Sequence, residues 1–131
     1  MKLYQTALKF IAEKHKGQQR YNGNPFIIHP IRVSQEVSGD IEKTCALLHD
    51  IIEDTDTTYE ELVGIFGEEI ALVVEILTHR KWESYQEYIL RVKQNPLAVS
   101  VKIADICDNL SDSPSAHAIE KSAKALDLLI S

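Results

Sequence analysis

The chain is poor in cysteine, with only Cys45 and Cys107, and neither has zinc-ligand spacing, so a disulfide framework or zinc module is excluded. Each cysteine falls in a helical apolar pattern, which predicts two small buried hydrophobes. No apolar run approaches the roughly 18 residues of a membrane span. The first residues, Met1 to Gln5, have no apolar stretch of the signal-peptide kind and read as the start of a helix, so a cytoplasmic protein is expected. Positive charge is in deficit: 14 Lys and Arg stand against 20 Asp and Glu, a net charge of −6. General nucleic-acid binding is thereby disfavoured, and an anionic substrate would need a local basic cluster working against the global field. Strand-like alternation, internal repeats, low-complexity tracts and linkers are all missing.

What is present is helix. The 131 residues suffice for one domain with a real core, and helix stops fall at regular intervals. The pattern predicts a helix from about Leu3 to Lys16 ending at Gly17. A loop over Gln18 to Ile28 follows, and then a short helix with Pro30 in its first turn. Asp40 is placed to cap a helix running from Ile41 to about Asp54. Thr57-x-x-Glu60 and Thr58-x-x-Glu61 both fit a capping box for a helix ending near Gly67. Further helices are expected from Glu68 to about Thr78, from Ser84 to Lys93, from Pro96 to about Leu110, and from Ser113-Pro114 to the C-terminus. The fold class is all-α, a compact bundle of about eight short helices.

The most informative stretch is Leu47-Leu48-His49-Asp50-Ile51-Ile52-Glu53-Asp54-Thr55. On a continuous helix His49, Asp50, Glu53 and Asp54 share a wedge of about 140°, with apolar residues around the rest. A helix apolar over most of its circumference is buried, so the wedge would line a cleft where charges need a partner such as a divalent cation. Three acids at a helix C-terminus also oppose the macrodipole. From helix physics alone, a metal or catalytic site and a solvated polar face stay equally open. Further ligands could come from His15, His29, His79, His117 or carboxylates of the last two helices. In the helix after Pro96, Val99, Ile103, Ile106 and Leu110 form the expected core stripe. Lys102, Asp105 and Asn109 line up beside it, suited to a metal and a phosphate or simply to a helical salt bridge.

Together, His29, His49-Asp50 and Asp105 resemble the H…HD…D signature of the HD-domain metal-dependent phosphohydrolases. Ala12-x-x-His15-x-Gly17-Gln18-x-Arg20-x-x-Gly23-x-Pro25-Phe26-Ile27-x-His29-Pro30 is similar to the opening motif of the RelA/SpoT-type alarmone hydrolase domain. Leu47-Leu48-His49-Asp50-x-x-Glu53-Asp54-Thr55 resembles its central motif. Phe66-Gly67 and Lys102-Ile103-Ala104-Asp105-x-x-x-Asn109 continue the order, so the resemblance covers roughly residues 5 to 110. It implies that His29, His49, Asp50 and Asp105 bind one divalent ion, usually manganese in this family. Glu53 and Asp54 would position and deprotonate the attacking water, Arg20 would flank the guanine base, and Lys102 and Asn109 would orient the nucleotide. The implied reaction is hydrolysis of guanosine 3′,5′-bis(diphosphate), or its pentaphosphate form, to GDP or GTP and pyrophosphate. Residues 1–131 would form a single hydrolase domain without synthetase or regulatory domains, like the small stand-alone forms that include the animal SpoT homologues.

Several positions depart from the family pattern. Ile106 stands where a basic residue follows the last metal-binding aspartate, and Leu110-Ser111-Asp112 replaces Met-Arg-Thr. Tyr21 occupies a commonly basic position, Phe26 a usual tyrosine, and Ser122 about the place of a tyrosine in the last helix. Each change removes a possible substrate contact and leaves the expected metal ligands intact. Lys16, Arg32, Arg80 and Lys81 are the basic residues that could compensate. The alternatives are an HD phosphohydrolase for another nucleotide and, from a different class, a catalytically silent nucleotide-binding or antitoxin-like module. His15 is read as structural or as a support to the ligands, and His79 and His117 as surface residues.

Overall fold

In the computed structural model, which describes residues 2–131, nine helical segments follow one another. They are α1 (Lys2–Lys14), α2 (Ile28–Gln35), α3 (Asp40–Leu48), α4 (Ile51–Asp54), α5 (Tyr59–Phe66), α6 (Glu68–Ile76), α7 (Tyr85–Val92), α8 (Pro96–Leu110) and α9 (Ala116–Ile130). Among the described residues the sole β pairing is an isolated bridge between Gln19 and Pro25. The expected all-α bundle is what the chain forms. No helix among the described residues is long and apolar enough to cross a membrane.

Local chemistry accounts for most boundaries. Ser84 and Glu87 make the reciprocal capping box at the start of α7. Thr58, not Thr57, caps α5 by accepting from the Glu61 N–H, while Thr57 is buried and bonds Thr55 instead. Asn95 and Ser115 cap α8 and α9. Gly67 turns the chain between α5 and α6 at φ 92°, a left-handed conformation open to glycine at little cost. Asp40 is the first residue of α3 rather than its cap, which is Gly39.

The central element is α3. Thr44 through Leu48 are all buried, and α1, α2, α6 and α8 pack around them. On α8 the most buried positions are Ala98, Val101, Ala104, Asp105, Ile106 and Asp108. The expected stripe of Val99, Ile103, Ile106 and Leu110 is therefore only one flank of the buried face: α8 lies between α2 and α9, and contact from both sides rotates its burial toward Val101 and Asp105. Cys45 is buried as expected, and burial pushes its thiol up to about 12. Cys107 is exposed, because it faces an open groove between α2 and α8.

The largest departure lies in the helix expected from Ile41 to Asp54, which breaks at His49-Asp50. In a continuous α-helix the Ala46 carbonyl would accept from the Asp50 N–H. Here it accepts instead from the His49 N–H at 3.4 Å and from the His49 ring Nδ1 at 2.6 Å. The imidazole thus takes the acceptor that would carry the helix forward. Asp50 adopts φ −100°, ψ 1°, in the bridge region. One further turn, α4, then begins from its carbonyl.

Candidate active site

Four ligand-type residues meet where the α3–α4 break faces α2 and α8. His29 Nε2 lies 2.8 Å from Asp105 Oδ1, and His49 Nε2 lies 3.2 Å from the same oxygen. Asp50 Oδ2 is 3.1 Å from His49 Nε2 and 3.7 Å from His29 Nε2. His29, His49 and Asp105 are buried and their donor atoms lie within 4.8 Å of one another, close enough to hold a metal ion. The break in the helix is what brings Asp50 to the same point as His49; the shared wedge of a continuous helix does not exist.

The outer nitrogens of both imidazoles are already committed. His49 Nδ1 donates to the Ala46 carbonyl, and His29 Nδ1 donates to Asp108 Oδ2 at 2.7 Å. In the neutral tautomers this leaves both Nε2 lone pairs aimed at carboxylate oxygens, an arrangement that only a cation between them can satisfy. A proton on the ring is one such cation and a metal ion the other. Two imidazole nitrogens with carboxylate oxygens and no thiolate fit a divalent ion of the manganese, iron, zinc or magnesium group. The Asp108–His29 contact is the carboxylate–histidine support that fixes a ligand's tautomer and orientation.

The electrostatics agree. Burial opposes charge on His49, but the carboxylates of Asp50 and Asp105 outweigh it and hold its pKa well above the ordinary histidine value. Burial also opposes ionisation of Asp105, yet Lys102 and the two histidines hold it well below the carboxylate range. Asp50 is lowered too, burial being overcome by His49 and His29. Lys102 donates to Asp105 Oδ2 at 2.9 Å, and despite its burial this partner raises its pKa. Glu53 and Asp54 behave oppositely. Both are raised, first by partial burial and then by the nearby Asp50 charge. Each is solvent-accessible at the mouth of the site, and Glu53 Oε1 accepts from the His79 N–H at 2.7 Å.

Two lobes open from the cluster, and Asp50 and Lys102 line both. One, of about 400 Å³, is walled by Gln19, Arg20, Tyr21, Phe26, His29 and Asn109. The other, of about 210 Å³, is walled by His49, Glu53, His79, Tyr85, Tyr88 and Lys121. Arg20 borders the first lobe with its guanidinium already engaged. Its nitrogens lie 3.3 Å from Asp108, 3.1 Å from Asp112 and 3.2 Å from Asn109 Oδ1. Of the four basic residues proposed to compensate, Arg32 is likewise occupied, at 2.8 Å from Asp108 Oδ1.

Sequence reasoning missed Asp108, His79, Tyr85, Tyr88 and Lys121. Asp108 sits one turn after Asp105 on the buried face of α8, a spacing that could have exposed it. His79 is not a free surface residue. Its ring stacks on Tyr88 of α7 at 4.8 Å, and its N–H donates to Glu53 of α4. No periodicity relates His79, Tyr88 and Lys121 to His49, so no local signal marks them. His15 is buried, donates to Gln18 at 2.9 Å and packs on Phe26; Gln18 in turn donates to the Asp54 carbonyl at 2.9 Å. The opening motif thereby braces the α4 turn, in line with the structural reading of His15. His117 is exposed.

The HD domain family model matches residues 7–125. The guanosine-3′,5′-bis(diphosphate) 3′-pyrophosphohydrolase of Aquifex aeolicus is 41% identical over 118 residues, covering 81% of this chain and 17% of that protein. The enzyme of the same name from Danio rerio, MESH1, is 39% identical over 118 residues, 80% of this chain and 66% of that one. A solved structure of a metazoan orthologue of SpoT that hydrolyses ppGpp superposes with a TM-score of 0.77 at 26% identity, over 99% of this chain and 84% of the other. The chain thus spans under a fifth of the bacterial relative and about two thirds of the zebrafish one. With a match across nearly its whole length and the histidine–aspartate cluster assembled, this chain belongs to the HD-domain family.

Proposed function

We propose that the chain is a manganese-dependent pyrophosphohydrolase that cleaves guanosine 3′,5′-bis(diphosphate), and its pentaphosphate form, to GDP or GTP and pyrophosphate, acting in the cytoplasm. The observation that carries the reading is the convergence of His29, His49, Asp50 and Asp105 with both Nδ1 protons committed outward. The names of the relatives support the substrate. A divalent cation bound there would polarise a phosphoryl oxygen and lower the pKa of water toward neutrality.

The protein's own groups then divide the work. His29, His49, Asp50 and Asp105 would hold the cation, with Asp108 fixing the His29 ring. Glu53 and Asp54, solvent-accessible at the mouth, orient the attacking water and take its proton. The His79 N–H keeps the Glu53 carboxylate in place. Water attacks the inner phosphorus of the 3′-diphosphate, the bond from that phosphorus to the ribose 3′-oxygen breaks, and the departing oxygen takes a proton. Arg20, held flat by Asp108 and Asp112, flanks the base, while Lys102 and Asn109 border the nucleotide.

Incubation with the tetraphosphate and Mn²⁺, followed by nucleotide chromatography, tests this directly: GDP and pyrophosphate are the expected products. A second reading, an HD phosphohydrolase for a different nucleotide, is favoured by one observation, the pairing of Arg20 with two carboxylates in a chain of net charge −6. A nucleotide panel with Mn²⁺ separates the two. Turnover of another nucleotide with an intact tetraphosphate would overturn the substrate and leave the enzyme class standing.

A further inference from the structure

Resting on the hydrolase reading above, we propose that the lobe of about 210 Å³ seats the released diphosphate, and that Lys121 of α9 is the second cation, beside Lys102, that binds it. The attacked phosphorus must sit at the histidine–aspartate cluster, so the nucleoside and the terminal phosphate leave that point in different directions. The larger lobe offers Phe26, Tyr21 and the planar Arg20, surfaces suited to a base and sugar. The smaller lobe offers two ammonium groups, Lys102 and Lys121, beside the carboxylates of Asp50 and Glu53 that face the cluster. Once the bond to the ribose oxygen breaks, both phosphorus atoms stay together in the released diphosphate, which bears the most concentrated negative charge in the reaction.

The two lysines differ in what already neutralises them. Lys102 is paired with Asp105. Lys121, among the described residues, forms no ion pair; its Nζ stands 4.1 Å from the centroid of the Tyr85 ring, and Lys102 Nζ stands 6.0 Å from the same centroid. Two ammonium groups sharing one ring repel each other, and an anion seated between them relieves that repulsion. Lys124, one turn along α9, pairs with Glu120 at 3.3 Å and does not line this lobe. It is the natural control.

The test compares wild type, Lys121→Gln, Lys121→Arg and Lys124→Gln by calorimetric titration with inorganic pyrophosphate, and by steady-state hydrolysis with pyrophosphate and GDP as inhibitors. A hydrogen bond to a charged group is worth roughly 1.5 kcal/mol or more, about tenfold in binding. Lys121→Gln is expected to weaken pyrophosphate binding about tenfold and raise KM more than it lowers kcat, with GDP inhibition unchanged. Lys121→Arg should recover most of the loss, and Lys124→Gln should match wild type. Unaltered pyrophosphate binding in Lys121→Gln overturns the proposal, as does an equal loss of GDP inhibition. Calorimetry needs no turnover, so the role of Lys121 is decided even if the tetraphosphate proves not to be the substrate.

Discussion

The α3–α4 junction and α8 meet at the same cluster, yet they deliver their side chains in opposite ways. Helix α8 runs unbroken from Pro96 to Leu110, and its site residues Lys102, Asp105, Asp108 and Asn109 follow helical spacing. The junction delivers His49 and Asp50 by interrupting a helix, with the His49 ring occupying the Ala46 carbonyl. Regular helix suits residues that must be held rigidly by burial, as Asp105 is. A break suits a pair of adjacent residues that must face one point, since on a continuous helix neighbours diverge by 100°.

Substitution at Asp105 separates the two regions most sharply. Asp105→Ala removes the carboxylate that faces both His29 and His49 and leaves the largely buried Lys102 without its ion-pair partner, at a cost of about 3–5 kcal/mol. Activity should fall below detection and bound metal should disappear, as read by elemental analysis of the purified protein. Full metal occupancy in a folded Asp105→Ala protein would break the assignment of α8 as a ligand-bearing element.

On the junction side the expected loss is catalytic, without loss of the ion. Glu53→Gln and Asp54→Asn should each keep metal while kcat drops about 10²–10⁴-fold, the usual range for a lost general base. If Asp54→Asn turned over at the wild-type rate, the α4 turn would have no part in proton transfer.

Asp108→Asn tests whether α8 also orients a ligand from behind. The amide is a weaker acceptor for His29 Nδ1, and metal affinity should fall about 10–100-fold while the fold is retained. An unchanged affinity in competitive metal titration would reduce Asp108 to an anchor for Arg20 and Arg32.

The smallest effect concerns the loop that steadies the junction. Glu83 is held at about 2, chiefly by its hydrogen bond to Arg91, and the same pair secures the segment carrying His79. A folded-state pKa below the unfolded value of about 4.3 means this contribution is fully present above that value and is lost as pH falls toward 2. Melting curves of wild type and Glu83→Gln should therefore differ at neutral pH and converge between pH 4 and 2 (roughly the interval between the two values). A constant difference across that interval would show that the pair does not act through ionisation.

Much of the site was legible because its residue types are few and their spacing strict. His29 before Pro30, the His49-Asp50 pair and Asp105 all converge as the motifs imply, and the helix starts at Ser84 and Pro96 follow from capping chemistry. Cys107 was misplaced because apolar periodicity cannot tell a buried flank from one beside an open groove. Arg20 lies at the site, but its pairing with Asp112 joins residues far apart in sequence.

The amino-acid sequence by itself determined most of the helices, the caps at Thr58 and Ser84 and the identity of the converging histidines and carboxylates, because hydrogen bonding and side-chain spacing within a turn are local. Only the tertiary structure decided which acids neutralise Arg20, and that Lys121 reaches the second lobe beside Lys102. Those outcomes depend on which side chain captures a given acceptor or charge once the helices pack, and that competition is settled between elements, beyond the reach of any sequence window.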